Sequence, residues 1–429
     1  MFACNIYSAH RFAQIFNFAQ THRHMLSEKS RSYKSFLLLC LLLFNFHLFA
    51  GDTTKTDVQR YTKTIHFYYQ PGMVIPTHAF VKGDNPQNKP YGFFHSFTAQ
   101  YGIQSDGKKL WQQLYGYPVW GFGAYSACFP GDHELGHPLA VYAYINAPFK
   151  RWKKWSINYE VDFGISFNWK RHDLRENGYY YPIGSFATVF FDFGINSVVQ
   201  LSKRLNLYFG LNFTHFSNGS VKLPNLGVNM LAPRVGVNYL FNDRQAYISR
   251  AKPTYEKEWE WLITLSPSLK QVGFTYVDSN SDTVATAFNY GVYTVSTGVN
   301  RQVSYKIKIG GGLDLSYNGA YGADTTMKNG KPEKATAIFG DKFLIGVFPS
   351  FELVINQISI LAQPGFYIYL PETESMDVPT TYQRVGIKYY FPGNIVAGVN
   401  VRAYNFSQAD FIEFNVGYTL KWKKSYRSR

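Results

Sequence analysis

The chain reads as an all-β protein, a transmembrane antiparallel β-barrel, and three observations lead there. Aromatic side chains make up 18% of its 429 residues, with 34 Tyr and 37 Phe, which suits strands on an aromatic-rich surface and is poor for a helical bundle. From about Thr64 onward, segments of roughly 8 to 16 residues alternate apolar with polar or small side chains, the weak per-segment signature of membrane-crossing strands. Turn-rich stretches such as Gly83-Asp84-Asn85-Pro86, Asp106-Gly107, Asn329-Gly330 and Pro392-Gly393 separate them. Such segments number roughly 14, and uncertain boundaries widen this to about 12 to 16 strands.

At the N-terminus, Ser35 to Ala50 (SFLLLCLLLFNFHLFA) is the sole long apolar run, shorter than the roughly 20 residues of a spanning helix. Lys29, Arg31 and Lys34 precede it and a small residue, Ala50, closes it, the order of a secretory signal. Residues 1–50 are therefore expected to be a leader, and Met25, from which the proportions are ordinary, is the expected true start. Of Cys4, Cys40 and Cys128 only Cys128 lies beyond that leader, so neither a disulfide framework nor a Cys-rich metal site is expected. Residues 1–50 hold five basic residues and one acidic residue; without them 38 Lys and Arg remain against 27 Asp and Glu. That excess is dispersed and accompanies no nucleic-acid-binding motif, so the expected partner is a phosphorylated lipid at a barrel rim, and nucleic acid is not.

Three segments show the faces. In Leu205 to Ser217 the odd positions are Leu205, Leu207, Phe209, Leu211, Phe213, His215 and Ser217, against Asn206, Tyr208, Gly210, Asn212, Thr214 and Phe216. Ile395, Ala397, Val399, Val401 and Ala403 oppose Gly398, Asn400 and Arg402 in the same way. Ile412, Phe414, Val416, Tyr418, Leu420 and Trp422 oppose Glu413, Asn415, Gly417 and Lys421. A soluble sandwich also alternates, but turns its apolar face to a core. Export, aromatic density and glycine on the polar face here put lipid outside and a lumen inside. One closed barrel over residues 51–429 is expected, because closure removes both edges and a membrane permits no open edge. The polar stretch Asn242 to Lys257 is where the chain would divide if it formed two smaller barrels.

Chemistry concentrates in Thr214-His215-Phe216-Ser217-Asn218-Gly219 and the following Leu223-Pro224-Asn225-Leu226-Gly227-Val228-Asn229. A serine hydroxyl needs a base within hydrogen-bond reach, and His and Ser at i and i+2 of a strand point to the same side. Here that is the end of the apolar face, where an ionisable pair is unfavourable unless paired. An enzyme attacking a lipid ester needs such a pair there; the bland alternative is a polar pair marking where the strand leaves the membrane. If the next strand starts near Gly227, its apolar odd positions put Asn229 on the outer face too, where its carbonyl oxygen can orient an imidazole. Backbone N–H groups around Asn218 and Gly219 are candidate oxyanion donors.

On these residues the chain resembles the lipid A 3-O-deacylase family of Gram-negative outer membranes, also described as acyloxyacyl hydrolase. The resemblance covers roughly Ser96 to Phe241. Its specific part is His-Phe-Ser-Asn-Gly followed by Pro-Asn-x-Gly, with Trp111-Gln112-Gln113-Leu114-Tyr115 and Gly136-His137-Pro138-Leu139-Ala140 fitting more loosely. It implies His215 as general base, Ser217 as nucleophile, Asn218 or the Gly219 amide in the oxyanion hole, lipopolysaccharide as substrate, and no metal or organic cofactor. The chain departs from the family at the third catalytic residue, a glutamate there and Asn229 here. Three readings stay open: Asn229 substitutes, an acid such as Asp243 swings in, or activity is lost. Residues from about 258 to 422 exceed the family's eight-stranded barrel and are expected to add strands to it; Asn405-Phe406-Ser407 within them is a chance echo of His215-Phe216-Ser217.

Two other chemistries are disfavoured by their sequence context. His133-Glu134-Leu135-Gly136-His137 matches the zinc-binding H-E-x-x-H pattern, but that pattern needs a helix, and Pro130-Gly131 and Pro138 flank it. No G-x-S-x-G elbow is present, and His95, His172 and Glu160 read as lumenal or rim groups. The expected activity is hydrolysis of a lipid A acyl ester, with Lys222 meeting a phosphate and loop Gly219 to Gly227 extracellular; a non-enzymatic pore or structural barrel is the alternative.

Overall fold

The computed structural model describes residues 61–130, 135–172, 181–244, 247, 251–277, 283–328, 330–335, 338–371, 379–405 and 408–423. The expected leader and the Met25 start lie outside them.

Eight strands form a first ring: β1 (Thr62–Val74), β2 (Phe93–Gln104), β3 (Val119–Cys128), β4 (Gly136–Arg151), β5 (Trp155–Trp169), β6 (Ala187–Gln200), β7 (Leu205–Ser217) and β8 (Val228–Leu240). Each is antiparallel to the next, and β8 closes the ring on β1 with Thr64 opposite Leu240. A second ring consists of β9 (Glu258–Val277), β10 (Thr283–Gln302), β11 (Ile307–Asn318), β14 (Phe343–Ile355), β15 (Ile358–Tyr369), β16 (Thr381–Tyr390), β17 (Ile395–Tyr404) and β18 (Gln408–Lys423). It closes where β18 meets β9, with Tyr418 opposite Ile263. The hairpin β12 (Asp324–Lys328) and β13 (Lys331–Ala335) pairs only with itself. Two short helices, α1 (Ala79–Lys82) and α2 (Leu110–Leu114), sit in the connections after β1 and β2.

The all-β antiparallel fold and the strand range are as expected, but the single barrel over residues 51–429 is corrected to two closed rings of eight strands. Residues 258–422 do not enlarge the first ring; they build their own. Alternation alone is the same for one large ring or two small ones. Charge inside the rings distinguishes them. Eight strands enclose a lumen just wide enough for side chains to fill, whereas about 16 leave an aqueous channel. Each ring accordingly pairs its own buried charges. In the first, Arg234 meets Glu160 at 2.8 Å and Asp192 at 3.0 Å. In the second, Arg384 and Arg402 interleave with Asp314 and Glu413 at 2.6–3.1 Å, Lys308 meets Glu260 at 2.7 Å, and Lys388 meets Glu352 at 2.6 Å.

The faces follow the sequence pattern. Outward residues such as Phe97 (60% exposed), Leu211 (53%) and Val416 (60%) form apolar walls, while Asn212, Thr214 and Asn400 turn inward. At one end of the first lumen the polar lining gives way to an apolar plug that includes Phe80, Phe94, Tyr125, Phe129, Trp169, Phe190, Phe216 and Val228. That plug lies directly behind the candidate site.

Candidate active site

β7 ends on the plug. Phe216 is fully buried, its ring centroid 4.8 Å from that of Trp169, 5.4 Å from Phe190 and 5.9 Å from Tyr125. Because side chains alternate along a strand, driving this bulky ring inward forces His215 and Ser217 outward. Burial of Phe216 thus sets the direction of both functional groups.

The pair meets as the spacing predicts: His215 Nε2 lies 2.9 Å from Ser217 Oγ. Asn229 stands directly opposite His215 in the β7–β8 register, and its Oδ1 is 2.6 Å from His215 Nδ1. A carboxamide oxygen can only accept, so Nδ1 carries the proton and Nε2 presents a lone pair to the serine hydroxyl. That is the tautomer a general base requires.

The asparagine is itself oriented. Its Nδ2 donates to Thr77 Oγ1 at 3.3 Å, and its backbone C=O accepts from Ile75 N at 2.8 Å. Thr77 and Ile75 belong to the connection between β1 and α1, which also sends His78 Nε2 to Gly227 O at 2.9 Å. Burial lowers the pKa of His78, which favours the neutral imidazole in that contact.

The β7–β8 loop opens with a tight turn. Gly219 and Ser220 have φ of 62° and 61°, and Val221 N donates to Asn218 O at 3.3 Å, the arrangement of a type I′ turn. Asn218 is committed to the loop itself: its backbone N–H donates to Asn225 Oδ1 (2.8 Å) and its Nδ2 to Lys222 O (2.7 Å). Of the two expected oxyanion donors, the buried Gly219 N–H is the one that makes no hydrogen bond among the described residues. Gly227, at φ 70°, closes the loop where a Cβ would come within 2.8 Å of Phe216 O, 3.4 Å of His215 Cε1 and 3.5 Å of Ser217 Cβ. Its N–H donates to Pro182 O at 3.0 Å, bracing the loop against the β5–β6 connection. Pro-Asn-x-Gly therefore has a physical content: Asn225 ties the loop start and Gly227 clears the His215–Ser217 pair.

Other sequence candidates are elsewhere. Asp243 pairs with Arg204 at 2.8 Å at the opposite end of β7, roughly 35 Å from His215 at about 3.3 Å per residue, so it cannot swing in. Glu160 is lumenal, bound to Arg234, Gln100 and Asn146. His95 faces outward on β2 and bonds the Tyr69 hydroxyl. His172 follows β5, its N–H donating to Ile183 O at 2.8 Å. His133 and Glu134 lie outside the described residues, and His137 lies in β4 rather than on a helix. Phe406 and Ser407 also lie outside them. Trp111-Gln112-Gln113-Leu114 falls in α2. Lys222 is exposed on the loop. Sequence reading missed Thr77 and Ile75, which reach the site through ring closure between β1 and β8 and carry no local signal.

Comparison with known proteins fits this division. Lipid A 3-O-deacylase (PagL) matches residues 95–238, and Acyloxyacyl hydrolase, C-terminal domain, matches residues 259–422. No curated protein matches the chain. Among solved structures, the translocator domain of autotransporter NalP from Neisseria meningitidis is 7% identical over 97% of this chain and 99% of its own, with a TM-score of 0.21. The siderophore receptor PirA from Acinetobacter baumannii is 9% identical over 86% and 69%, with a TM-score of 0.24. The Pseudomonas putida toluene transporter TodX is 8% identical over 85% and 89%, with a TM-score of 0.18. The first family match runs from β2 to β8 and holds His215, Ser217 and Asn229, the second runs from β9 to β18, and with both matches together covering most of its length the chain belongs to the lipid A 3-O-deacylase and acyloxyacyl hydrolase family.

Proposed function

We propose that the chain is an outer-membrane hydrolase that removes an ester-linked acyl chain from lipid A, with Ser217 as nucleophile. The observation that carries this reading is the hydrogen-bonded series Ser217–His215–Asn229 on the outward wall of the first ring, at the end of an apolar face. His215 Nε2 takes the Ser217 proton as Oγ attacks the ester carbonyl. The Gly219 N–H supports the oxyanion, worth about 2.7–4 kcal/mol where such a donor is lost in other enzymes. The protonated imidazole then gives its proton to the sugar oxygen, which leaves as the alcohol. Water, deprotonated by the same nitrogen, releases the fatty acid and restores the serine. Asn229 holds the imidazole in register without a negative charge, so catalysis is slower than with a carboxylate.

With lipid A as substrate, Lys222, exposed on the loop, meets a phosphate, and the loop from Gly219 to Gly227 faces the cell exterior. A leader at residues 1–50 accounts for export. The paired charges filling both lumens argue against a conducting pore. Mass spectrometry of lipid A from cells expressing wild type, Ser217→Ala and Asn229→Ala is the test. Loss of one acyl chain with wild type and not with Ser217→Ala is expected; an unchanged profile in all three would sink the hydrolase reading.

A further inference from the structure

We propose that the second ring is a positioning element for the active site, holding the turn that presents the Gly219 N–H; this rests on the hydrolase reading. Three contacts reach that turn and the residues after it, all from the seam where β9 meets β18. Ser220 Oγ donates to Ala409 O of β18 at 2.5 Å. Leu223 N donates to Gln271 Oε1 of β9 at 2.8 Å, and Gln271 Nε2 is held in turn by Asn289 Oδ1 at 3.1 Å, which fixes which end of its amide faces the loop. Ile412 of β18 lies over Gly219 so closely that a Cβ there would come within 2.6 Å of its Cγ1.

These contacts land where the loop needs them. A type I′ turn requires positive φ at both central residues, which suits glycine at Gly219 and disfavours a residue with a Cβ at Ser220. Left to itself, Asn218-Gly219-Ser220-Val221 would spend part of its time in other turn forms, and the direction of the Gly219 N–H would change with them. The hydrogen bond from the Ser220 hydroxyl to β18 favours the left-handed form, and Gln271 anchors the chain three residues later. On the far side the loop is braced by the first ring, through Leu226 N to Tyr181 O and Gly227 N to Pro182 O. Each ring thus supplies one side of the brace, and the oxyanion donor sits on the side held by the second.

Ser220 and Gln271 are positioning residues, and their role separates from simple folding. Ser220→Ala keeps the unfavourable Cβ and loses the bond, so kcat should fall about tenfold, as for a displaced transition-state donor, with KM unchanged. Ser220→Gly loses the same bond but removes the steric objection, so kcat should stay within about twofold of wild type. Gln271→Ala should behave like Ser220→Ala. The full chain is purified in detergent and assayed on lipid A in mixed micelles, with Ser217→Ala alongside. Amide hydrogen exchange over residues 218–223 is measured on the same samples and needs no activity. Faster exchange in Ser220→Ala and Gln271→Ala but not Ser220→Gly, together with the kcat losses, supports the proposal. It is overturned if Ser220→Ala and Gln271→Ala match wild type in both readouts, or if Ser220→Gly is as damaged as Ser220→Ala. If wild type is no more active than Ser217→Ala, the hydrolase reading fails instead, and exchange alone still decides whether the second ring holds the turn.

Discussion

His215 Nδ1 and Asn229 Oδ1 lie 2.6 Å apart on residues paired directly across β7 and β8. The register that makes them partners also makes the asparagine the group that sets the imidazole tautomer. Asn229→Ala should lower kcat by about 10²-fold or more while leaving KM close to wild type. Asn229→Asp should raise kcat, because a carboxylate of the same shape stabilises the imidazolium formed during attack. Steady-state kinetics on purified enzyme checks both, and an aspartate variant slower than Asn229→Ala would contradict the assigned role.

Thr77 Oγ1 accepts from the Nδ2 end of that carboxamide at 3.3 Å and so supports the orientation that turns Oδ1 to His215. With the hydroxyl replaced in Thr77→Val, the amide can present Nδ2 to the ring, which selects the wrong tautomer. A loss of about 1 kcal/mol, roughly fivefold in kcat, is expected. In an Asn229→Asp background the two oxygens are equivalent and the same substitution should have little effect, so a double-mutant cycle reads the coupling directly.

Gly227 tolerates no side chain. Gly227→Ala adds a Cβ 2.8 Å from Phe216 O at a φ of 70°, a strain of about 1–3 kcal/mol. The first ring should still close, seen as a folded band of heat-modifiable mobility, while hydrolysis falls because the displaced atoms border His215 and Ser217. Full activity in this variant would show that the loop end can move away from the pair.

Phe216 links stability to catalysis. Phe216→Ala removes a fully buried ring from the plug and should cost about 3–5 kcal/mol. Thermal unfolding in detergent should drop, and activity should fall with it, since the plug contact that anchors the end of β7 is lost. By contrast Phe209, on the exposed wall of the same strand, should accept Leu with little change in either measurement.

The sequence carried the strand pattern, the outward side of β7 and the His215–Ser217 pairing, because each depends on spacing within one strand. It did not carry ring closure. Whether β8 returns to β1 or goes on to β9 depends on which interior charges find partners, and Arg234 of β8 is separated in sequence from Glu160 of β5 by 74 residues. The role of Thr77 was illegible for the same reason, being a contact across the β1–β8 closure. Asn218 was legible as a candidate oxyanion donor, but the use of its N–H by Asn225 and of its Nδ2 by Lys222 depends on a fold of the loop that no local spacing specifies.

His215 and Ser217 open sideways from the wall of the ring rather than into its lumen. On the proposed function, such a site meets its substrate by lateral diffusion in two dimensions, and the product leaves the same way, into the leaflet. Its rate should follow the mole fraction of substrate in the surface and not its bulk concentration, and dilution with inert lipid or detergent should slow it at constant total substrate.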